Sequence, residues 1–565
     1  MPNIYGVMNT AKMSMATHQL SLEVTSQNIS NVNNPNFTRQ EATLESAFPI
    51  QPGGSPGLIG TGVRATSIIR RHDQFLEGQR LLNKANSGFW NSTQDFMARL
   101  EVVFNESSPN GLNGQLDGYY KSWQNLAFNP RGLTERTDTI AQGRNVAATF
   151  NKVNLDVKNL RVDLNTKINS SISEVNRLTG EIARYNGVIH ETESHNVSAN
   201  DFRDKRDALL RDLATYAQVN TVEDPNTHEI TVSLANGRAL VIGQTAFTLE
   251  TQQRADDGLA SDIMWRDPSG QKVDVTSEFS NGNMGAWINM RDTVMPSYLD
   301  KLDQLAATMV RDTNSQHSAG YGLDGSTGQD FFSGINISAT ANRKNLGTGT
   351  VAAAVTAPDK LNVHKYQLEF TAANSYDIRD MTTGSVVATE AYAAGPATSA
   401  YLLTQGIQAT INGAPVATDK FILNPAADAS LNIAVHNNII IDSNKVAAGL
   451  TTHQGDGSNA LNIAQSQNGM TMNRASLAAS GTATFAQYYN SLVGEAGVAA
   501  KNANSAVNQQ EAINTQIENR REQVGGVALD EEMVNLIKFQ HAYQASARLV
   551  TIVDTMLQTL IGIAR

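Results

Sequence analysis

The chain has 565 residues, with 43 basic against 54 acidic side chains, a net charge of -11 and no cysteine. The negative balance disfavours a nucleic-acid or anionic-membrane partner, and the missing cysteines exclude disulfides, zinc–thiolate sites and thiol catalysis. Lys12 is the one early lysine, and neither a signal-peptide core of roughly 7 to 15 apolar residues nor a membrane span of ~18 is evident. We therefore expect a soluble protein with room for three or four domains and without a cleaved signal peptide.

The first predicted element is an N-terminal helix with a coiled-coil seam. Its seam positions are separated by alternating steps of four and three residues, which is typical of a helix that packs along a partner helix. The seam consists of Ile4, Met8, Ala11, Met15, His18, Leu22, Thr25 and Ile29. The pattern leaves two alternatives open, because the helix can pair with the other end of the chain or pack on a globular body between the two ends.

A helical rod follows a connector rich in proline and glycine. Residues 49–62 cannot form a continuous helix and predict a boundary between the N-terminal helix and the next domain. Beyond them, helical periodicity predicts a helix near 75–103, a much longer one over about 134–191 and another over about 484–524. Helices of this length extend ~60 Å or more, which predicts a rod rather than a ball.

Two stretches between these helices have the two-residue periodicity of β-strands. In the first, alternating apolar residues flank Asn236-Gly237, the dipeptide of a type I′ turn, and predict a hairpin. The second repeats the signal around Asn412-Gly413. We expect a first β domain over 218–283 and a second over 336–452, both carried on the outside of the rod.

The final stretch, Gly525 to Arg565, predicts a terminal helix with an apolar face. Asp530 is the predicted N-cap, and Glu531 and Glu532 follow where the helix dipole favours negative charge. Burial of the apolar face would contribute on the order of 10 kcal/mol, so the helix requires a partner surface. The face consists of Met533, Leu536, Ile537, Tyr543, Ala547, Val550, Val553, Leu557, Leu560 and Ile561.

Several segments resemble one protein family. Residues 22–40, LEVTSQNISNVNNPNFTRQ, are similar to the N-terminal signature of bacterial flagellar rod, hook and hook-associated proteins, with mild departures at Ser30, Asn34, Asn36 and Phe37. The C-terminal stretch looks like the matching end of that family. In the middle, RDKRDALLRDLA, ANGRALVIG, MGAWINMRD and GYGLDGSTGQDFF resemble its hook-associated members. Residues 336–452 show no such resemblance.

The resemblance implies a structural subunit that forms a ring at the junction between hook and filament. It also implies an extracellular location in the flagellum, reached through the flagellar type III export apparatus. The implied partners are other copies of the chain, hook subunits and the next junction protein. We expect a cytosolic export chaperone to bind the C-terminal helix, and we expect the terminal helices to be largely disordered before assembly.

Together these patterns predict an α+β multidomain protein with a terminal coiled-coil domain, a long-helix rod and two inserted, mainly-β domains. The predicted limits are 1–48 with 525–565 for the terminal assembly domain, 49–217 with 284–335 and 453–524 for the rod, and 218–283 and 336–452 for the β domains. The residues predicted to make assembly contacts are Ile4, Met8, Met15, Leu22, Asn28, Ile29, Asn31, Phe37, Leu529, Met533, Leu536, Phe539, Tyr543, Val550, Leu557 and Ile561.

Three short segments match parts of known catalytic or ligand-binding motifs, but each match is incomplete. Residues 60–65 fit G-x-G-x-x-A without a βαβ unit around them. His190 and His195 are five positions apart, about 140° out of line on a helix, and the acidic loop at Asp224 has Ala235 where a calcium loop needs glutamate. We therefore expect no enzyme, no cofactor and no metal site. The alternatives are another flagellar axial protein, such as a hook or rod subunit, or a secreted adhesin or enzyme on a helical stalk.

Overall fold

The computed structural model of the chain describes residues 4–51, 57–104, 111–393, 395–474 and 479–563. Helices dominate it, and the longest extends over 62 residues, a length of about 93 Å. Numbered in chain order, the helices are α1 Ile4–Ser30, α2 Gln74–Val103, α3 Leu112–Phe128, α4 Leu133–Ser194, α5 Asn200–Tyr216, α6 Gly282–Asn289, α7 Met295–Ala319, α8 Ala400–Thr404, α9 Ala429–Asn432, α10 Asn437–Ile441, α11 Ser458–Gln465, α12 Phe485–Gly525 and α13 Leu529–Ile563.

The strands form small antiparallel sheets. Their order is β1-β2, β3-β4-β5-β6, β7-β8-β9, β10-β17-β12-β13-β14 and β11-β16-β15. The strands are β1 Gln40–Ser46, β2 Val63–Arg70, β3 Val219–Glu223, β4 Ile230–Leu234, β5 Ala239–Ile242, β6 Thr245–Ala246, β7 Thr248–Gln253, β8 Ser261–Arg266, β9 Lys272–Asp274, β10 Ser338–Ala341, β11 Thr350–Val355, β12 Tyr366–Ala372, β13 Ser375–Asp380, β14 Val386–Ala391, β15 Ala397–Thr398, β16 Ile407–Asn412 and β17 Lys420–Asn424.

The long helices follow the predicted periodicity, and the predicted α+β class is confirmed. Helix α12 begins at a capping box, in which the Thr484 hydroxyl accepts the N–H of Gln487 and the Gln487 side chain accepts the N–H of Thr484. Helix α2 begins where the Asp73 side chain accepts the N–H groups of Phe75 and Leu76. In both cases the orphan donors of a first helical turn are satisfied locally.

The predicted start of the last helix is wrong by two residues. Helix α13 begins at Leu529, so Asp530 lies in the first turn together with Glu531 and Glu532 instead of capping it. The N–H of Glu532 already donates to the carbonyl of Ala528 over 3.0 Å. All three acidic residues still lie at the positive end of the helix dipole. The acidic cluster therefore predicted the start of the helix to within two residues.

The rod and the first group of strands share one hydrophobic core. The core contains the fully buried aromatic residues Tyr119, Trp123 and Phe331, and it continues without a break into β4 and β5. Asn186 on α4 donates to the carbonyls of Ile230 and Gly243 over 2.8 and 2.6 Å, which fixes these strands on the long helix. The first group of strands is therefore an integral side of the rod.

The second group of strands has its own core. Strands β10 to β17 enclose buried residues such as Tyr366, Phe370 and Phe421, separate from the core of the rod. Asn236-Gly237 turns the chain between β4 and β5 as predicted, but only Gly237 has a positive φ, so the type I′ form, which needs a positive φ at both residues, is wrong. Gly413 also has a positive φ, but it follows β16, whose partners are β11 and β15, so this dipeptide does not close a hairpin with β17. This module is joined to the rod where Asp303 on α7 accepts hydrogen bonds from the N–H and the hydroxyl of Ser430. The predicted domain limits stay a proposal.

The expectation that no stretch approaches a membrane span is wrong when mean hydropathy over 18 residues is the criterion. The helical stretch Phe485–Ile563 contains an 18-residue window with a mean hydropathy of 1.2, and 11% of that window is buried. By length and composition alone the stretch could cross a bilayer. Its apolar residues lie largely on the outside, and an uncovered apolar face of this kind equally suits a protein partner.

Candidate assembly interface

The two terminal helices pack against each other. The Oγ atoms of Ser14 and Ser546 lie 2.9 Å apart, and the rings of His18 and Phe539 stack with centroids 6.2 Å apart. Burial in this contact lowers the pKa of His18, as expected for a packed histidine. The structure thus realises the first alternative that the sequence left open, in which the two ends of the chain pair.

A second face of α1 lies on the hairpin of β1 and β2, which crosses the predicted boundary at residue 49. Thr17 Oγ1 donates to the carbonyl of Val63 over 3.2 Å. Gly62 has a φ of +105°, and a Cβ there would lie 2.9 Å from Cγ2 of Thr10, so the close approach requires glycine. The buried residues of α1 are Ala11, Thr17, Ser21, Val24, Thr25 and Asn28. Several of them are polar, which the apolar seam did not predict.

Three side chains, Asn28, Arg39 and Glu532, form a terminal clamp between the two helices and the hairpin. Nδ2 of Asn28 donates to the carbonyl of Gln40 over 2.9 Å and to Oε2 of Glu532 over 3.1 Å, and Oδ1 accepts the Gln40 N–H over 3.0 Å. Nε of Arg39 donates to Oε1 of Glu532 over 2.8 Å. Because the Glu532 side chain is 2% exposed, its charge depends on these donors rather than on water.

The segment after the clamp attaches to the rod through α5. The N–H of Thr38 donates to Asp204 over 2.9 Å, and Arg70 lies 2.7 Å from Asp204 and 2.8 Å from Asp207. Burial raises the pKa of Asp204. Burial also opposes ionisation of Asp207, but the charge of Arg70 outweighs it and the pKa of Asp207 falls. One arginine thus holds two carboxyl groups of the RDKRD motif.

The same segment fixes the break between α12 and α13. The N–H of Arg39 donates to the carbonyl of Gly525 over 3.0 Å, and the Arg521 guanidinium donates to the carbonyl of Phe37 over 2.7 Å. A Cβ on Gly525 would lie 2.5 Å from the carbonyl oxygen of Arg71. The N-terminal signature therefore positions both terminal helices relative to the rod.

Helix α13 keeps an outer apolar face that the described residues of the chain do not cover. Its members are three or four positions apart, so they lie on one side of the helix. This outer face consists of Leu549, Ile552, Met556, Leu560 and Ile563, which are 38% to 78% exposed. Met533, Val534 and Ile537 are also about half exposed or more, about three to four turns closer to the clamp.

The structure divides the residues predicted to make assembly contacts into three groups. Asn28 and Phe37 are buried within the chain. The half-buried group is Ile4, Met8, Met15, Leu22, Ile29, Asn31, Leu536, Phe539, Tyr543, Val550 and Leu557. The exposed group is Leu529, Met533 and Ile561. Only the last two groups present atoms to a neighbour, and that they do so in an assembly stays a prediction.

Sequence reasoning missed the charged members of the clamp. Asn28 and Arg39 lie inside the recognised signature, but their partner Glu532 lies about 500 residues later. Glu532 looked like an ordinary acid in a first helical turn. Its burial is set by the packing of α13 on α1 and the hairpin, and no local pattern encodes it.

The motif outlines correspond to local turns. Nδ1 of His195 lies 2.8 Å from the carbonyl of Glu191, and the Asp224 side chain accepts the N–H groups of Asn226 and Thr227. Across the described residues there is no group of three or more His, Asp or Glu side chains that could hold a metal ion.

Two family models match parts of the long-helix rod and the last helix. One family model, described as the helical domain of flagellar hook-associated protein FlgK, matches residues 97–332. Another, described as the C-terminal region of flagellar basal body rod FlgEFG proteins, matches residues 525–563.

Relatives of matching length carry one name. The chain is 26% identical to flagellar hook-associated protein 1 of Escherichia coli, with 99% of each chain covered. It is 25% identical to the protein of the same name in Bacillus subtilis, over 98% of this chain and 97% of the relative. Over almost its full length the chain is therefore similar to flagellar hook-associated protein 1. A solved structure of the flagellar hook junction protein FlgK from Burkholderia pseudomallei has the same fold, with a TM-score of 0.68, 18% identity, and coverage of 79% of this chain and 100% of that one.

Proposed function

We propose that the chain is a structural subunit of the bacterial flagellum that forms a ring between hook and filament and assembles through its terminal helices. The observation that carries the proposal is the outer apolar face of α13, which is uncovered although the helix is otherwise packed on α1 and held by the terminal clamp. Burial of its five side chains by neighbours would contribute about 5 kcal/mol per subunit. A monomeric protein gains nothing from such a face.

The proposed partners follow from the position of the chain in the structure it builds. Other copies would cover the outer face of α13 within the ring, hook subunits would contact one side of the ring, and the next junction protein the other. Before export the same face requires a cover, and a cytosolic chaperone that takes the helix into a groove would provide one. Export through the flagellar type III apparatus, without a cleaved signal, would place the protein outside the cell.

The test is a substitution on the half-buried side of α13, in a strain that lacks the wild-type protein. Leu536 is half-buried beside the clamp, and Leu536→Asp should leave the rod folded but block incorporation. The expected cells carry hooks without filaments, while the purified variant keeps the wild-type circular dichroism spectrum. Gln544→Asp, at an exposed position of the same helix, is the matched control and should assemble. Normal filaments with Leu536→Asp would contradict the packing model.

Deletion of the gene separates the proposal from its alternative. Loss of the filament with hooks retained supports a junction subunit, whereas loss of the hook itself would identify a hook or rod subunit. Hydrogen exchange on the purified monomer tests the order of the termini separately. Fast exchange in 4–48 and 525–563 over a protected rod would support disorder before assembly, and uniform protection would mean that the pair seen here exists in the monomer.

A further inference from the structure

The hairpin of β1 and β2 ends in an apolar knob. Beyond the two strands the chains stay paired, with the N–H groups and carbonyls of Ile50 and Ile59 bonded to each other over 3.0 and 2.8 Å. We define the hairpin knob as Phe48, Ile50, Leu58 and Ile59, which are 79%, 44%, 67% and 54% exposed. The whole segment 47–62 contains no charged residue. Exposure of four large apolar side chains to water near the end of a hairpin is unfavourable, and such a patch is typical of a surface that binds a partner.

A groove of about 510 Å³ lies at the other end of the same hairpin, between β1 and α13 and over α1. Its floor and walls are apolar at Val24, Leu44, Ile69 and Phe539. Leu44 and Ile69 remain 38% and 45% exposed there. The charged residues that line the groove are Arg39, Glu41, Arg71, Lys538 and Glu532. The groove thus combines exposed apolar side chains with charged groups, as protein interfaces do.

We propose that the hairpin knob of one copy of the chain inserts into this groove of a neighbouring copy. The inference rests on the proposed function, in which many copies stand side by side. The knob cannot fill the groove of its own chain, because β1 leads away from the groove and Leu44 and Phe48 are about 13 Å apart along the extended strand. The contact is heterologous, and its repetition closes a ring when the rotation between neighbouring copies divides a full turn.

The size of the knob is consistent with a contact that supports a ring without forming a stable dimer. Its four side chains offer roughly 400 Å² if a fully exposed side chain offers ~170 Å². A standard interface needs ~800 Å² per partner. The knob therefore supplies about half, and the outer face of α13 supplies more when copies are held side by side. The isolated chain should stay monomeric, and the contact should form only in the assembly.

Disulfide cross-linking tests the contact directly, because the chain has no cysteine of its own. The double variant Leu44→Cys, Phe48→Cys is produced in place of the wild type, and isolated flagella are oxidised. We expect a ladder of cross-linked dimers, trimers and higher multimers. A disulfide within one chain is excluded because it needs Cα atoms within about 7 Å. Each single variant should give monomers only, since a heterologous contact never brings two copies of the same residue together.

Three outcomes would overturn the proposal. The first is that flagella of the double variant assemble but show no cross-links. The second is that Phe48→Cys alone gives dimers, which would show a symmetric contact. The third is that oxidation of the monomer pool already gives multimers before assembly. In the first case the junction assignment still stands, because the variant supports filaments. Filaments in cells without the chain would instead refute the proposed function itself.

A charge-pair variant covers the case in which the cysteine variant fails to assemble. Phe48→Asp alone and Leu44→Lys alone should each lower the fraction of cells with filaments about tenfold, the effect of losing one interface anchor. The two changes combined in one chain should restore it, because each knob then meets a groove of opposite charge. Absence of any restoration, with both single variants folded as judged by circular dichroism, would count against the contact.

Discussion

Removal of the Arg39 guanidinium should detach the C-terminal helix from the rest of the terminal unit. In Arg39→Met the side chain keeps much of its length but loses its charge, so the Glu532 carboxylate keeps only the hydrogen bond from Asn28. The backbone bond from the N–H of Arg39 to Gly525 is unaffected. The change therefore isolates the ion pair from the fold of the signature segment.

The magnitude follows from the burial of Glu532. Loss of one partner from a buried ion pair costs about 3 to 5 kcal/mol. Glu532 is 2% exposed but Arg39 is 25% exposed, and this partial solvation places the effect near the lower end, at about 3 kcal/mol. The matched control is Glu531→Gln, because Glu531 pairs with the same arginine but is 65% exposed. An exposed pair contributes at most about 1 kcal/mol.

Native-state hydrogen exchange is the assay, because it reports the opening of one helix without unfolding of the rod. Amides in the first half of α13 should exchange about 100-fold faster in Arg39→Met than in the wild type, since each 1.4 kcal/mol is a factor of ten. Amides in α4 should be unchanged. Equal protection in both variants, or an equal effect of Glu531→Gln, would refute the role of the buried pair.

Two further predictions concern the pH dependence of stability. Burial lowers the pKa of His317 to about 4, although the hydrogen bond from Nδ1 to the Gln329 carbonyl opposes this shift. The neutral ring fits its site, because Nε2 accepts the Ala447 N–H. The stability that the lowered pKa gives is complete above pH 6.5 and is lost as the pH falls through 4, by about 3 kcal/mol in total. The free energy of unfolding in urea should fall between pH 7 and pH 4.5 by more in the wild type than in His317→Gln. Equal losses in the two proteins would contradict the role of His317. Burial raises the pKa of Asp303 to about 7 despite its hydrogen bonds from Ser430, so its contribution is complete below pH 3.8 and is lost as the pH rises through 7, by about 4 kcal/mol. The difference in unfolding free energy between wild type and Asp303→Asn should shift in favour of the variant between pH 5 and pH 8, and no shift would mean that Asp303 is solvated.

The local elements of this protein could be predicted from its sequence because their causes are local. The three- and four-residue spacing of apolar side chains predicts α4 and α12. The capping box at Thr484 is formed by residues a few positions apart in the chain, and so is the turn at Asn236-Gly237. The two terminal stretches and the central motifs were enough to recognise the family.

The tertiary structure decided the contacts that make the candidate site. The apolar stripe of the last helix divides into a side on α1 and an outer face, because α13 carries apolar residues over more of its circumference than one partner helix covers. The hairpin of β1 and β2 spans a connector whose prolines and glycines predicted only a break. Glu532 is buried by Arg39 and Asn28, which are nearly 500 residues away in the chain. Burial of a charge depends on what surrounds it in space, and no periodicity in the sequence carries that information.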